Sequence, residues 1–435
     1  MTFFKFIQEI QKTNDPEWNY YRTNISVNPL VTPERCAQFI LEYFLNGEKG
    51  FAVFELNEQD GFALTPSFRS YKCYSETNIC PPNFSEYRAV HTVSAFFLGV
   101  FLECCLTRGK GGGVEILAGN RFFPFSYLWF LTCLYHDYGY IVEENWRPPR
   151  RLSDKPSVSP KDGFFQLKGM MNRMRITYSP YQQVNPLWRG STGGRQTSER
   201  LFEFLLQHSS SLKEGLHFDC GAEVLDFRYP QSLIMKYFSY GLHELQPPVY
   251  NHGIIGGYLL FDRLLKGYAS AYMHSHPNQT EDYPDIKDFS WRGKAFSIEQ
   301  IPLFAHIADC IIAHNIWKAD AAAEAKYREC GLGKLVGDNF KKIRFQENPL
   351  LFILSVVDTI EPYKIYGLPS AMGRDALRIW KSIDLSFQNN ILTVASRYKC
   401  RPIEKMYQKA KGLKSWVDIT DVIVGNDGKS LSIKF

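Results

Sequence analysis

Four apolar stretches constrain this chain most, because each carries ionisable residues that a buried helix can hold only with a partner. The stretch "VSAFFLGVFLECCL", Val93 to Leu106, is 14 residues long and is interrupted by Glu103. A membrane span requires roughly 18 such residues, so it reads as a buried helix. The same helix extends upstream, since Val90, Val93, Phe97, Val100, Phe101 and Cys104 recur at three- and four-residue steps between Ser85 and Cys105. In "FLTCLYHDYGYIVEEN", Phe130 to Asn145, an apolar run ends in adjacent His136 and Asp137 with Gly139 behind them, and Pro124 suits the first turn of a helix reaching about His136. "SIEQIPLFAHIADCIIAHNIW" opens with Ser297 three residues before Gln300, a capping-box spacing, and carries His306 and His314. "NPLLFILSVVDTIEPY" is a short apolar helix that contains Asp358 and is ended by Pro362.

A chain of 435 residues has room for two or three domains, or one large domain with extensions. The expected fold class is mostly α. Residues 1–80 form a mixed α/β N-terminal extension, with an amphipathic helix near Phe3 to Ile10, another around Pro33 to Phe44, and a strand at "GFAVFEL". Residues 81–390 form the helical domain, with a Pro-, Ser-, Gly- and Arg-rich insertion at about 147–200 and helical patterns resuming at Thr197 to His208 and after Asn251. Residues 391–435 form a β-containing tail, in which "WVDITDVIVGNDGKSLSIKF" alternates around an Asn-Asp-Gly turn as a small hairpin. Gly111 to Gly113 lack the Gly-Lys-Ser/Thr ending of a phosphate-binding loop and read as a flexible connection.

The first 18 residues mix charge with apolar residues and contain no secretory signal core, so a cytoplasmic protein with no membrane partner is expected. Ten cysteines include no Cys-x-x-Cys pair, consistent with scattered thiols in a reducing compartment. Net charge is only +5, but eleven Lys/Arg against three carboxylates between Arg147 and Arg200 give that segment +8. Such an excess fits a negatively charged ligand; alternatively it keeps a solvated insertion soluble.

His91, in "SEYRAVHTVSAFFLG", has Tyr87, Ser94, Ala95 and Leu98 at helical neighbour positions, a face with small residues that leaves room for a metal and a water. Asp358 at the end of "LLFILSVVD" would be costly to bury uncompensated, and a cation would offset that cost. Two imidazoles and two carboxylates from three helices form a mixed N/O set suited to a divalent transition ion or Mg²⁺.

The order His91, His136-Asp137, Asp358, each on or at the end of an apolar helix, resembles the HD-domain superfamily of metal-dependent phosphohydrolases. His252 in "NHGIIGGYLLFDRLL" and His314 in "IADCIIAHNIW" resemble the additional histidines of its binuclear members. The chain departs from the pattern at Tyr140, where many members have Lys, and at Asn315, where binuclear members often have a second adjacent His. The resemblance implies one or two divalent ions (Mn, Mg, Fe, Co or Ni) held by His91, His136, Asp137, His252, His314 and Asp358. Asp137 then acts as a bridging, catalytic carboxylate. Lys318 and the basic insertion are candidates for contacting phosphate, although Lys318 reads equally as a solvated helix-end lysine. His252 and His314 also have structural readings, as a helix-start histidine bonded to its loop and as a satisfied core histidine. His274 and His276 lie in a polar segment with Pro277 and are set aside, and His306 is rotated roughly 80° from His314 on its helix.

The implied activity is hydrolysis of a phosphoester in a nucleotide or related small phosphorylated molecule, by phosphodiesterase- or nucleotidase-type chemistry. One alternative is an HD-type nuclease on single-stranded nucleic acid, with Phe164, Phe165, Tyr178, Tyr181 and Trp188 interleaved among the basic residues. Another is a regulatory protein whose HD pocket binds a ligand without turnover.

Overall fold

The expected helix at His91 is present as α1, Pro82–Thr107, which starts three residues before Ser85 and ends two beyond Cys105. In this computed structural model the described residues are 1–3, 5–6, 82–108, 114–118, 121–137, 139–140, 229, 231–257, 260–261, 289–291, 294–296, 300–362, 382–397 and 401–435. The helix expected at Pro33 to Phe44, the strand at "GFAVFEL", Gly111 to Gly113, the insertion at 147–200, the pattern at Thr197 to His208 and both His274 and His276 lie outside them. Every residue from Ser94 to Glu103 is buried, as a helix enclosed on all sides requires. Glu103, the charge that interrupts the apolar run, accepts a hydrogen bond from the backbone N–H of Val114 at 2.5 Å and so anchors the chain entering the next strand.

That strand belongs to a hairpin not expected from the sequence, β1 Glu115–Ala118 paired antiparallel with β2 Arg121–Pro124. Pro124 closes β2 and delivers the chain into α2, Phe125–Tyr135, whose end leaves His136 and Asp137 in a turn. Further helices are α3 Gln231–His243, a helical stretch at 252–257, α4 Gln300–Ala313, α5 Glu324–Glu329 and α6 Pro349–Ile360, with a short hairpin, β3 Phe289–Trp291 and β4 Lys294–Phe296, before α4. Among the described residues α4 begins at Gln300, and Ser297, the cap expected three residues earlier, lies outside them. Asn348 caps α6 by accepting from Leu351 N at 3.0 Å, and Pro349 occupies the first turn, where its missing N–H is not needed.

α1, α2, α4 and α6 pack on one another around a single apolar core. α1 and α2 approach closely where Gly99 faces Trp129: a Cβ at Gly99 would lie 2.1 Å from the indole. The indole N–H is satisfied within the core by Phe96 O at 2.9 Å.

On the far side of α6 lies α7, Arg401–Ala410, with Ile403, Met406 and Ala410 buried. It packs between α6 and a four-stranded antiparallel sheet of order β5-β6-β8-β7, comprising β5 Ile383–Gln388, β6 Ile391–Ser396, β7 Asp421–Val424 and β8 Ser430–Lys434. The C-terminal hairpin is therefore half of a larger sheet. That sheet starts at Ile383, and the division expected between 390 and 391 falls inside the β5–β6 turn. Asn389 and Asn390 form this turn with φ of 51° and 57°, the left-handed conformation that a two-residue hairpin turn requires and that Asn tolerates. The chain start joins both parts of the fold. Phe387 N donates to Met1 O at 2.7 Å at the β5 edge, while Phe3 and Phe6 pack edge-on against Phe101 of α1, each with ring centroids 5.4 Å away. Among the described residues the chain is thus mostly helical with a small C-terminal sheet, and no helix is long and apolar enough to cross a membrane.

The Gly99–Trp129 contact sets a stability test. Gly99→Ala is expected to destabilise the fold by about 1–3 kcal/mol through overpacking, and by clearly less in a Trp129→Phe background. Equal losses in the two backgrounds on denaturant unfolding would mean that this contact does not set the α1–α2 spacing.

Candidate metal centre

Three helices bring four of the expected residues together. His91 comes from the middle of α1, His136 and Asp137 from the turn after α2, and Asp358 from the last turn of α6. One ligand atom from each lies within 4.8 Å of all the others. His91 Nε2 is 3.1 Å from His136 Nε2, 3.4 Å from Asp137 Oδ2 and 3.3 Å from Asp358 Oδ1. His136 Nε2 is 3.6 Å from Asp137 Oδ1 and 3.7 Å from Asp358 Oδ1. His91, His136 and Asp137 are buried, and Asp358 is 20% exposed, so the centre meets solvent at Asp358.

Hydrogen bonds on the far side of each imidazole decide what its inner nitrogen presents. His91 Nδ1 donates to Glu361 Oε2 at 2.9 Å, and Ser94 Oγ donates to the other oxygen of that buried carboxylate. His136 Nδ1 donates to Cys133 O at 2.9 Å. In their neutral forms both rings therefore turn an Nε2 lone pair inward, toward each other and toward two carboxylates. Four electron-pair donors converging in a buried space repel one another unless a positive charge lies among them. A divalent cation fits this donor set, with two imidazole nitrogens and two carboxylates whose outer atoms are already oriented.

In the absence of a cation, a proton takes that place. Burial, the largest influence, lowers the pKa of His91, but hydrogen bonds to Asp358 and Glu361 and the charges of Asp137 and Glu361 outweigh it and push the value up to about 9. Cys133, buried behind the centre, is pushed well above the usual thiol range by burial and by the charges of Asp358 and Asp137, which keeps it a thiol.

Beside this cluster stand His252 and His314. The His314 ring lies 6.0 Å from that of His136 and 5.5 Å from that of His252, between centroids. Its Nδ1 donates to Ile311 O, and its buried Nε2 has no hydrogen-bond partner among the described residues. Burial, then repulsion from His252, lowers the pKa of His314 to about 3, so the ring stays neutral. His252 starts the helical stretch at 252–257, with Nε2 4.0 Å from Asp137 Oδ1. Both departures from the HD pattern touch this histidine: the Tyr140 ring stacks on it at 3.6 Å, and Asn315 Nδ2 donates to its Nδ1 at 3.5 Å. Asn315 Nδ2 also donates to Asn251 Oδ1, which in turn accepts from Ile254 N. The stretch at 252–257 lies hard against the His-Asp turn. A Cβ at Gly139 would stand 1.9 Å from His252 O, which explains the glycine two residues after Asp137.

Lys318 is half-buried in the 316–320 loop and makes no ion pair with a described residue. His306 lies outside the cluster, with Nε2 3.9 Å from Cys310 Sγ, in keeping with its expected rotation away from His314. Glu361 and Ser94 were not recognised as participants from sequence. The available signal was spacing, since each lies three residues, one helical turn, after a cluster member. No protein-family model, curated protein or solved structure matches the chain.

A pH test follows from the two shifted histidines. The raised pKa of His91 stabilises the metal-free fold fully below about 6.5, and this contribution is lost as pH rises through about 9. The depressed pKa of His314 has the opposite reach, costing stability as pH falls below about 6.5 toward about 3, because the unfolded chain then takes up a proton that the fold excludes. A cation must displace the His91 proton. The gap in Tm between metal-loaded and chelated protein is therefore expected to widen from pH 6 to pH 9, and a pH-independent gap would rule out ligation by His91.

Proposed function

We propose that the chain is an HD-type, metal-dependent phosphohydrolase that cleaves a phosphoester of a nucleotide or related small phosphorylated molecule. The observation that carries this reading is the convergence of His91, His136, Asp137 and Asp358 with both imidazole lone pairs turned inward by outer hydrogen bonds. A divalent cation held there supplies Lewis-acid polarisation of a phosphoryl oxygen and acidifies water near neutral pH. The chain's own groups do the rest. Glu361 and Cys133 O hold the two imidazoles in the ligating tautomer, so little reorganisation is needed. Asp137 directs Oδ2 toward His91 and Oδ1 toward His136 and His252, an arrangement suited to a carboxylate shared between two positions. Asp358 stands where the centre meets solvent, the side from which an anionic ester approaches. Lys318, which makes no ion pair with a described residue in the loop after His314, is a candidate to offset phosphate charge.

The basic segment at 147–200 favours a second reading, cleavage of single-stranded nucleic acid, in which affinity falls steeply with salt because phosphate neutralisation releases counterions. A metal-binding regulator without turnover is the third.

Metal analysis beside a phosphate-release screen over nucleotides, cyclic nucleotides and short oligonucleotides, with Mn²⁺, Mg²⁺, Fe²⁺, Co²⁺ and Ni²⁺, separates the three. Asp137→Ala is expected to abolish tight metal binding and hydrolysis while the fold persists, and Glu361→Gln to weaken metal affinity roughly 10- to 100-fold. His314→Ala is expected to lose about one metal equivalent if two ions bind, whereas an undiminished metal count with a lowered Tm makes the centre mononuclear. Wild-type activity in Asp137→Ala would remove the hydrolytic reading altogether.

A further inference from the structure

Two exposed large hydrophobic residues stand out among the described residues, and one of them is hydrogen-bonded to the backbone of His314. Ile423 lies on β7 in the C-terminal sheet, far along the chain from the centre's ligands, and a single exposed aliphatic residue needs no explanation. Trp317 is 53% exposed and is held at both of its N–H groups. Its indole Nε1 donates to His314 O at 3.3 Å, and its backbone N donates to the Tyr237 hydroxyl at 3.3 Å. Tyr237 is itself buried and packed with Tyr240 and Tyr327, with Tyr327 edge-on to both and ring centroids 4.9 to 6.2 Å apart. The indole is therefore a flat surface, presented to water and braced on a rigid base. It is tied to the backbone of the very residue whose imidazole faces the centre. Lys318 follows immediately, half-buried and without an ion pair to a described residue.

We propose that Trp317 is the platform on which the planar ring of a nucleotide stacks, so that the phosphoester presented to the centre carries a nucleobase. This rests on the phosphohydrolase reading above. An aromatic face recognises a nucleobase by stacking whatever its hydrogen-bonding edge, and the adjacent ammonium of Lys318 complements phosphate. Because both N–H groups of Trp317 are engaged before a ligand arrives, little ring freedom is lost on binding. A ring-free sugar phosphate would use the cation and Lys318 but leave the indole uncovered.

The test compares non-hydrolysable phosphonate analogues of adenosine 5′-monophosphate and of ribose 5-phosphate, which differ by the base, by calorimetry on the manganese-loaded full chain. Wild type is expected to bind the adenosine compound at least about tenfold more tightly. Trp317→Ala should erase that preference by weakening the adenosine compound roughly 10- to 100-fold, leaving the ribose compound unchanged. Trp317→Phe, which keeps a ring, should retain most of it. A Trp317→Ala variant that weakens both ligands equally, or neither, overturns the platform. These are binding constants, so they are read separately from phosphate release. A wild type that binds with base preference yet hydrolyses no phosphoester defeats the hydrolytic reading alone, whereas one that hydrolyses with no base preference defeats the platform alone.

Discussion

The architecture depends on an electrostatic conflict at its centre. Folding the apolar helices α1, α2 and α6 against one another forces His91, His136, Asp137 and Asp358 to within 4.8 Å, and the outer partners of the two imidazoles leave their inner nitrogens with no proton to share in the neutral state. Two carboxylates facing two lone pairs in a buried space are unfavourable by several kcal/mol unless charge is supplied. Either a proton on His91 or a cation supplies it, and these two compete. The fold tolerates the conflict because the surrounding helices bury apolar residues on nearly every side: Phe96, Phe101, Trp129, Phe130 and Phe352 are all at or near full burial. The hydrophobic term of those side chains, about 1.5–3 kcal/mol each, holds the polar cluster in a geometry it would not adopt alone.

The four clustered residues were legible in the sequence for the same physical reason. A His or Asp embedded in an apolar helix must find a partner, and few partners exist inside such a core. Glu361 was not legible because it lies beyond the helix end, between Ile360 and Pro362, where a glutamate ordinarily reads as exposed. Only the packing of α6 on α1 brings its carboxylate to His91 and Ser94. The sheet was half legible. Alternation around Asn-Asp-Gly marked β7 and β8, but β5 and β6 turn on Asn389-Asn390, a weaker signal than Asn-Gly, and the pairing of β6 with β8 joins residues too far apart in sequence for local pattern to specify. Hydrophobic periodicity reports which face is buried, not which distant strand will lie beside it.

Tyr140 and Asn315 illustrate a different limit. From sequence they were departures from a pattern, known only by what they replaced. In the fold both converge on His252, one stacking on its ring and one bonding its Nδ1. The pattern could locate them but not say what they do, because their roles depend on the stretch at 252–257 lying against the His-Asp turn at a distance that only Gly139 permits.

This arrangement makes the two halves of the centre unequal. Around His91 the carboxylates of Asp137, Asp358 and Glu361 gather, and the imidazole that donates to Glu361 is the more basic for it. Around His252 and His314 stand a tyrosine ring, an asparagine amide and a backbone carbonyl, with Asp137 near His252 and the charge of Asp358 felt at His314. An amide N–H always donates, and the Asn315 amide cannot reverse without losing Asn251 Oδ1, which Ile254 N already holds in place. His252 Nδ1 thus accepts, and its proton sits on Nε2, facing Asp137. Ligation through that nitrogen requires the Asn251–Asn315 pair to rearrange, whereas His314 already presents a bare Nε2. A cation bound here would therefore enter first at the His91 half, where charge and tautomer are both prepared, and any second would bind more weakly because the amide pair must give way before it.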